Sequence, residues 1–286
     1  MSTSPLIQVD ELQRLLAGPE TGRPAVLDVR FRLGESTGRR DFERAHIPGA
    51  SYVDMDTDLA TIRPDGTGGR HPMPTVETFT AAMRSAGVTM SRQVVAYDDW
   101  LSLPASRVWW MLRRFGFLDV RVLDGGIAAW IAAGLPTESG PGTLGIGDFT
   151  PSSPGIGRLL NATDATEYAA RHLLLDARPA DRFRGENEII DPVAGHIPGA
   201  VNAPALDTVD PDGRFLPADQ LARRFRELGI AEVDGARPVG TYCGSGVQAT
   251  HLALALSIAG ITDGADVYIG SWSDWITDPD RPIATG

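Results

Sequence analysis

The sequence predicts an α/β protein built as two tandem domains, each with a central, mainly parallel sheet flanked by helices. Three observations lead there: an internal repeat, an alternation of short apolar runs with helix-period segments, and enough apolar material for real cores in 286 residues that are 42% hydrophobic. The repeat is ordered. Val26–Arg30 (VLDVR) returns 148 residues later as LLDAR ending at Arg178, and Ala45–Ala50 (AHIPGA) returns after 150 as GHIPGA ending at Ala200. Tyr97 and Tyr242, Gly125 and Gly270, and Trp130 and Trp275 then pair at a constant offset of 145. Chance does not hold register over five landmarks, so one module of about 130 residues has been duplicated. The domains are expected at 1–137 and 158–286, joined by a Gly-, Pro- and Ser-rich linker at 138–157.

Along the first copy, the pattern predicts a strand at Ala25–Val29, a helix at Val76–Ala86, a strand at Gln93–Tyr97, a helix at Ala105–Phe115 and a strand at Val120–Leu123. In the second copy, Leu173–Ala177 reads as a buried strand and Pro217–Leu228 as an amphipathic helix ending at Gly229. Pro238–Tyr242 is a strand, Val247–Ala259 a helix, Asp266–Ile269 a strand, and Ser271–Ile276 a short helix whose Trp272 and Trp275 pack as core.

Composition narrows the function. The net charge of −11 argues against nucleic acid or an anionic membrane as partner. All 26 basic residues are arginine, which removes Schiff-base, pyridoxal-anchoring and P-loop lysine chemistry. With one cysteine, Cys243, no intramolecular disulfide can form. The N-terminal MSTSPLIQVDELQ has neither a basic region nor a long apolar one, and no apolar stretch approaches the roughly 20 residues that span a bilayer. A cytoplasmic protein is expected.

The segment Val239–Ala249 (VGTYCGSGVQA) carries the chemistry: a strand, Cys243 opening a tight glycine-bearing loop, then a helix. Such a loop turns several backbone N–H groups toward one point, where an anion is stabilised. The anion is the Cys243 sulfur, favoured as the nucleophilic thiolate. A lone cysteine is more often a small buried hydrophobe, but this one ends a strand and is followed at once by Gly-Ser-Gly. A cysteine phosphatase needs an arginine six residues on to clamp phosphate, and position 249 is alanine.

With two copies of the LDxR…HIPGA pattern and one Cys-led loop, CGSGVQ, nearly the whole chain resembles the tandem rhodanese-like sulfurtransferases, which include 3-mercaptopyruvate and thiosulfate sulfurtransferases. The resemblance implies that the first copy, with Asp98-Asp-Trp where the second has Cys243-Gly-Ser, is catalytically inactive. It implies a persulfide on Cys243, with sulfur passing from a small-molecule donor to cyanide, a small thiol or reduced thioredoxin, without metal or organic cofactor. A CGSGV loop is similar to the mercaptopyruvate type, whereas thiosulfate enzymes of the animal type carry basic residues in the loop. Mercaptopyruvate is therefore placed slightly ahead of thiosulfate as donor.

Carried over by position, Ser245, His71 and Asp56 form a polarising relay with Cys243. Arg182 meets the anionic end of the donor, and Gly244, Gly246, Val247 and Gln248 line it along the loop. Without the resemblance, Asp56 reads as a turn cap, His71 as a surface histidine and Arg182 as a solvated arginine. His46 and His196 recur in both copies and are assigned to structure, and Arg178 to a structural pair. Two positions depart from the family: a second substrate arginine nine residues after Arg182 is here Asp191, and Gln248 stands in place of threonine. Because rhodanese modules also serve as non-enzymatic binding or regulatory domains, that reading stays open beside the enzyme.

Overall fold

The computed structural model describes residues 4–142, 145–152, 155–230 and 238–286. Met1–Ala60, Pro74–Ile156 and Pro211–Phe215 gather into one compact unit, and Thr61–Met73, Gly157–Asp210 and Leu216–Gly286 into a second. Each is an α/β unit around a parallel sheet.

The first unit runs β1 (Leu6–Ile7), α1 (Val9–Ala17), β2 (Ala25–Asp28), α2 (Gly38–Arg44), β3 (Ser51–Tyr52), α3 (Val76–Ser85), β4 (Val94–Tyr97), α4 (Leu103–Arg114), β5 (Val120–Leu123) and α5 (Gly126–Ala132). Its five strands lie in the order β1-β5-β4-β2-β3, every pairing parallel. Helices cover both faces of such a sheet, so its strands read as unbroken apolar runs, and every residue of β4 (VVAY) is buried. Helix α3 starts where the Thr75 hydroxyl accepts the Thr78 N–H at 3.1 Å.

The second unit runs α6 (Ala162–Arg171), β6 (Leu173–Asp176), α7 (Ala180–Arg184), β7 (Val201–Asn202), α8 (Ala218–Glu227), β8 (Val239–Tyr242), α9 (Val247–Ile258), β9 (Asp266–Val267) and α10 (Ser271–Trp275). The strand order is β7-β6-β8-β9, again all parallel. Asn161 and Asp164 close a capping box at the start of α6. Helix α9 is apolar nearly all round and is buried from Val247 to Leu256 except at Gln248. Trp272 and Trp275 are buried core residues, as the sequence implies. The register sets Asp176 against Tyr242, so the carboxyl ends of the neighbouring strands β6 and β8 deliver Arg178 and Cys243 to the same edge of the sheet.

The elements read from sequence are present, with ends one or two residues different, as frayed helix and strand termini allow. Four short elements, β1, β3, β7 and α7, have no periodicity long enough to read, and α1, α2, α5 and α6 add to the set. Of the stretch expected to link the domains, residues 143, 144, 153 and 154 lie outside the described set. The described part up to Ile156 belongs to the first unit. Phe149 is fully buried there, edge-on to Phe79 at 5.7 Å, and Gly147 donates its N–H to Arg84 O at 2.8 Å. Gly- and Pro-rich composition thus marks irregular backbone here, but not loose backbone.

Among the described residues no helix is long and apolar enough to cross a membrane, and no group of three or more His, Cys, Asp or Glu could hold a metal ion.

Candidate active site

Cys243 leaves the end of β8 and opens the turn into α9. Gly246 takes φ +83°, a left-handed conformation that suits glycine, and this directs its N–H at the cysteine Sγ at 3.1 Å. The Ser271 hydroxyl lies 4.0 Å from the sulfur and accepts the Cys243 N–H at 3.1 Å. Helix α10 fixes the far side of the turn, because Trp272 N–H donates to Cys243 O at 2.9 Å and Ser273 N–H to Gly244 O at 3.0 Å. Cys243 is buried, 2% exposed, yet its sulfur meets an N–H donor rather than an apolar wall.

The first copy has a turn at the equivalent place with a different occupant. Asp98 ends β4 where Cys243 ends β8, and Ile127 N–H from α5 donates to Asp98 O at 3.0 Å, as Trp272 does to Cys243 O. The Asp98 carboxylate curls into its own turn and accepts the N–H groups of Trp100 at 2.7 Å, Ser102 at 3.0 Å and Ala105 at 2.9 Å. Leu101 and Ser102 are held at positive φ, 56° and 61°, in this turn. Burial raises the Asp98 carboxyl to about 6, ahead of the opposing pull of the three N–H groups.

A carboxyl raised on folding contributes stability in full below its unfolded value, near 4, and loses it as pH rises through about 6. Asp98→Asn is therefore expected to flatten the stability of the first unit between about pH 4 and pH 6, as read by denaturant unfolding across that range. A slope unchanged from wild type would contradict this.

A cluster of charges lies beside the Cys243 turn. Arg182, on α7, is 9% exposed and not a solvated arginine. Its Nε donates to Glu188 Oε2 at 3.0 Å, and its Nη2 to Glu188 Oε1 at 2.8 Å and Asp191 Oδ2 at 3.0 Å. Burial opposes charge on Glu188, but the N–H groups of Asp191 and Ile190 and the Arg182 guanidinium hold its carboxyl below the usual range. Arg178 is fully buried and pairs with Asp176 through Nε at 3.1 Å and Nη2 at 2.7 Å. The same Nη2 also donates to Gly195 O at 2.7 Å. Burial disfavours its charge, but Asp176 more than offsets this and raises the guanidinium further.

The remaining candidates occupy defined places. Ser245 and Gly244 are buried in the turn, Val247 opens α9 buried, and Gln248 is half-buried beside it. The Ser245 hydroxyl makes no hydrogen bond to another described residue. His71 belongs to the second unit, in the Thr61–Met73 segment, and is buried rather than at the surface. Asp56 belongs to the first unit, in a turn where its N–H donates to Asp54 Oδ1 at 2.9 Å. His46 and His196 are equivalent structural groups. Each Nδ1 lies 2.8 Å from a carbonyl, of Phe42 or Phe183, and each ring stacks on that phenylalanine at 4.0 or 3.7 Å.

The residue that sequence reasoning missed is Arg70. Its guanidinium pairs with Asp191, and a Cβ at Gly244 would lie 2.9 Å from its Nη2. The available signal was the departure at Asp191, since a carboxylate where the family has a cation needs an arginine from elsewhere, and Arg70 precedes the already singled-out His71.

The rhodanese-like domain family matches residues 8–133 and again residues 158–278. A Pseudomonas aeruginosa protein named "Probable 3-mercaptopyruvate sulfurtransferase" is 44% identical over the full length of both chains. A Mycobacterium tuberculosis protein bearing a thiosulfate sulfurtransferase name, SseB, is 39% identical over 98% of this chain and 97% of its own. Among solved structures, the 3-mercaptopyruvate sulfurtransferase SseA from Escherichia coli superposes with a TM-score of 0.79 at 31% identity, covering 95% of this chain and all of that one. With two rhodanese-like copies and a single Cys-led turn between strand and helix, this chain belongs to the tandem rhodanese-like sulfurtransferase family.

Proposed function

We propose that the protein moves a sulfur atom from 3-mercaptopyruvate, or less readily thiosulfate, to a thiophilic acceptor by way of a persulfide on Cys243. The observation that carries this reading is the Gly246 N–H aimed at the Cys243 sulfur at 3.1 Å. The thiolate attacks the thiol sulfur of mercaptopyruvate or the sulfane sulfur of thiosulfate. With mercaptopyruvate the C–S bond breaks and the electron pair leaves on the enolate of pyruvate, which takes up a proton. With thiosulfate the S–S bond breaks and sulfite leaves. Cyanide or a thiol, including that of a reduced thioredoxin, then attacks the outer sulfur and returns the cysteine as thiolate. The turn's amides stabilise the charge on the persulfide. Arg182 holds the anionic end of the donor, and Ser245, His71 and Asp56 serve as the relay that polarises mercaptopyruvate. Gly244, Gly246, Val247 and Gln248 form the wall of the turn.

The test is to incubate the protein separately with each donor, weigh the intact chain for one added sulfur, and measure transfer to cyanide. One sulfur on Cys243 with faster transfer from mercaptopyruvate is expected. Faster transfer from thiosulfate would reduce Ser245, His71 and Asp56 to structural residues. No added sulfur from either donor would make the chain a binding module.

A further inference from the structure

We propose that Arg70 is a second donor-binding guanidinium, supplied from the Thr61–Met73 segment in place of the cation that Asp191 displaces. The proposal rests on the sulfurtransferase reading and extends it by naming what holds the anionic end of the donor beside Arg182. Placement comes first. Arg70 N–H donates to Ser273 Oγ at 3.0 Å, and the N–H of that same serine donates to Gly244 O at 3.0 Å. One serine thus ties the Arg70 backbone to the catalytic turn. Gly68 N–H donates to Asp274 Oδ1 at 2.8 Å. Gly69 sits at φ +82° so close to α10 that a Cβ there would stand 2.3 Å from Gly270 O, so the segment lies flush against the helix that fixes Cys243.

The side chain follows. A Cβ at Gly244, the residue after the nucleophile, would lie 2.9 Å from Arg70 Nη2 and 3.8 Å from both terminal nitrogens of Arg182. Two guanidiniums therefore converge on one side of the turn. Asp191, 2% exposed at its side chain, receives Arg70 Nη1 on Oδ1 and Arg182 Nη2 on Oδ2, and so fixes the angle between the two forks. Glu188 takes the Nε side of Arg182, which leaves Arg182 Nη1 without a partner among the described residues. Arg70 Nε is buried and likewise unpartnered. With two cations against two carboxylates, the cluster offers an anion oriented N–H donors more than net positive charge. That suits a small carboxylate or sulfonate gripped by geometry.

The test compares wild type with Arg70→Gln and Arg70→Lys in two measurements. In the first, Cys243 is alkylated by iodoacetate and by iodoacetamide. In both the sulfur forms an S–C bond as iodide leaves, and only the first reagent is an anion. Arg70→Gln is expected to slow iodoacetate about tenfold and leave iodoacetamide within about twofold, with Arg70→Lys in between. In the second, the KM for the sulfur donor is expected to rise about tenfold in Arg70→Gln, with kcat changing less. Equal slowing of both reagents, unchanged selectivity or an unchanged KM would overturn the proposal. Failure of the parent reading looks different: wild type would take no sulfur from either donor, whatever the alkylation selectivity.

Discussion

Cys243→Ser is expected to abolish sulfur transfer, lowering turnover on the order of 10⁴-fold or more, with the fold unchanged. A serine hydroxyl is a far weaker nucleophile toward sulfur and forms no persulfide, so the two-step route closes at its first step. Folding should survive because the bonds that hold this residue are backbone bonds. The Cys243 N–H reaches Ser271 Oγ and its carbonyl receives Trp272 N–H, neither of which depends on sulfur. Serine can also accept the Gly246 N–H that now meets Sγ. The check is cyanide-linked turnover beside circular dichroism and the denaturation midpoint. Measurable transfer by a folded Cys243→Ser protein would remove the persulfide from the mechanism.

The largest stability effect is expected at Arg178. Arg178→Gln should destabilise the second unit by about 3–5 kcal/mol, because Asp176 then remains as a buried charge without its counter-ion. Both side chains are fully buried, and the guanidinium also binds Gly195 O and stacks over Trp272 at 4.8 Å. One arginine therefore joins the end of β6 to the HIPGA turn and to the tryptophan that holds the Cys243 turn. Denaturant unfolding followed by tryptophan fluorescence should show a lower midpoint. Removing the charge as well, in Asp176→Asn with Arg178→Met, should recover part of the loss. A shift below about 1 kcal/mol would mean that the pair contributes little beyond its volume.

The two-copy α/β fold was legible because duplication preserves landmarks that survive drift elsewhere: LDxR, HIPGA and the tyrosine that ends β4 and β8. The Cys243 turn was legible because Cys243-Gly-Ser-Gly spells its backbone requirement, a chain that curls through glycine and brings the Gly246 N–H to the sulfur. Arg70 was not legible, because its partners Asp191 and Ser273 are distant in sequence and no periodicity joins them. Asp191 stood out as an exception to a pattern, but only geometry shows it binding two arginines at once. The stretch at 138–157 shows where composition stops short. Its composition is that of a spacer, whereas Phe149 anchors its described part in the first core.

Asp98 also bears on how the turn of the first copy keeps its shape. Without an acceptor at position 98, the N–H groups of Trp100, Ser102 and Ala105 would lose the partner they share. A carboxylate on the same chain answers all three from within, so the turn keeps its shape with no visitor. The turn of the first copy is therefore self-contained: the group that closes it belongs to the chain and cannot be lost to solution.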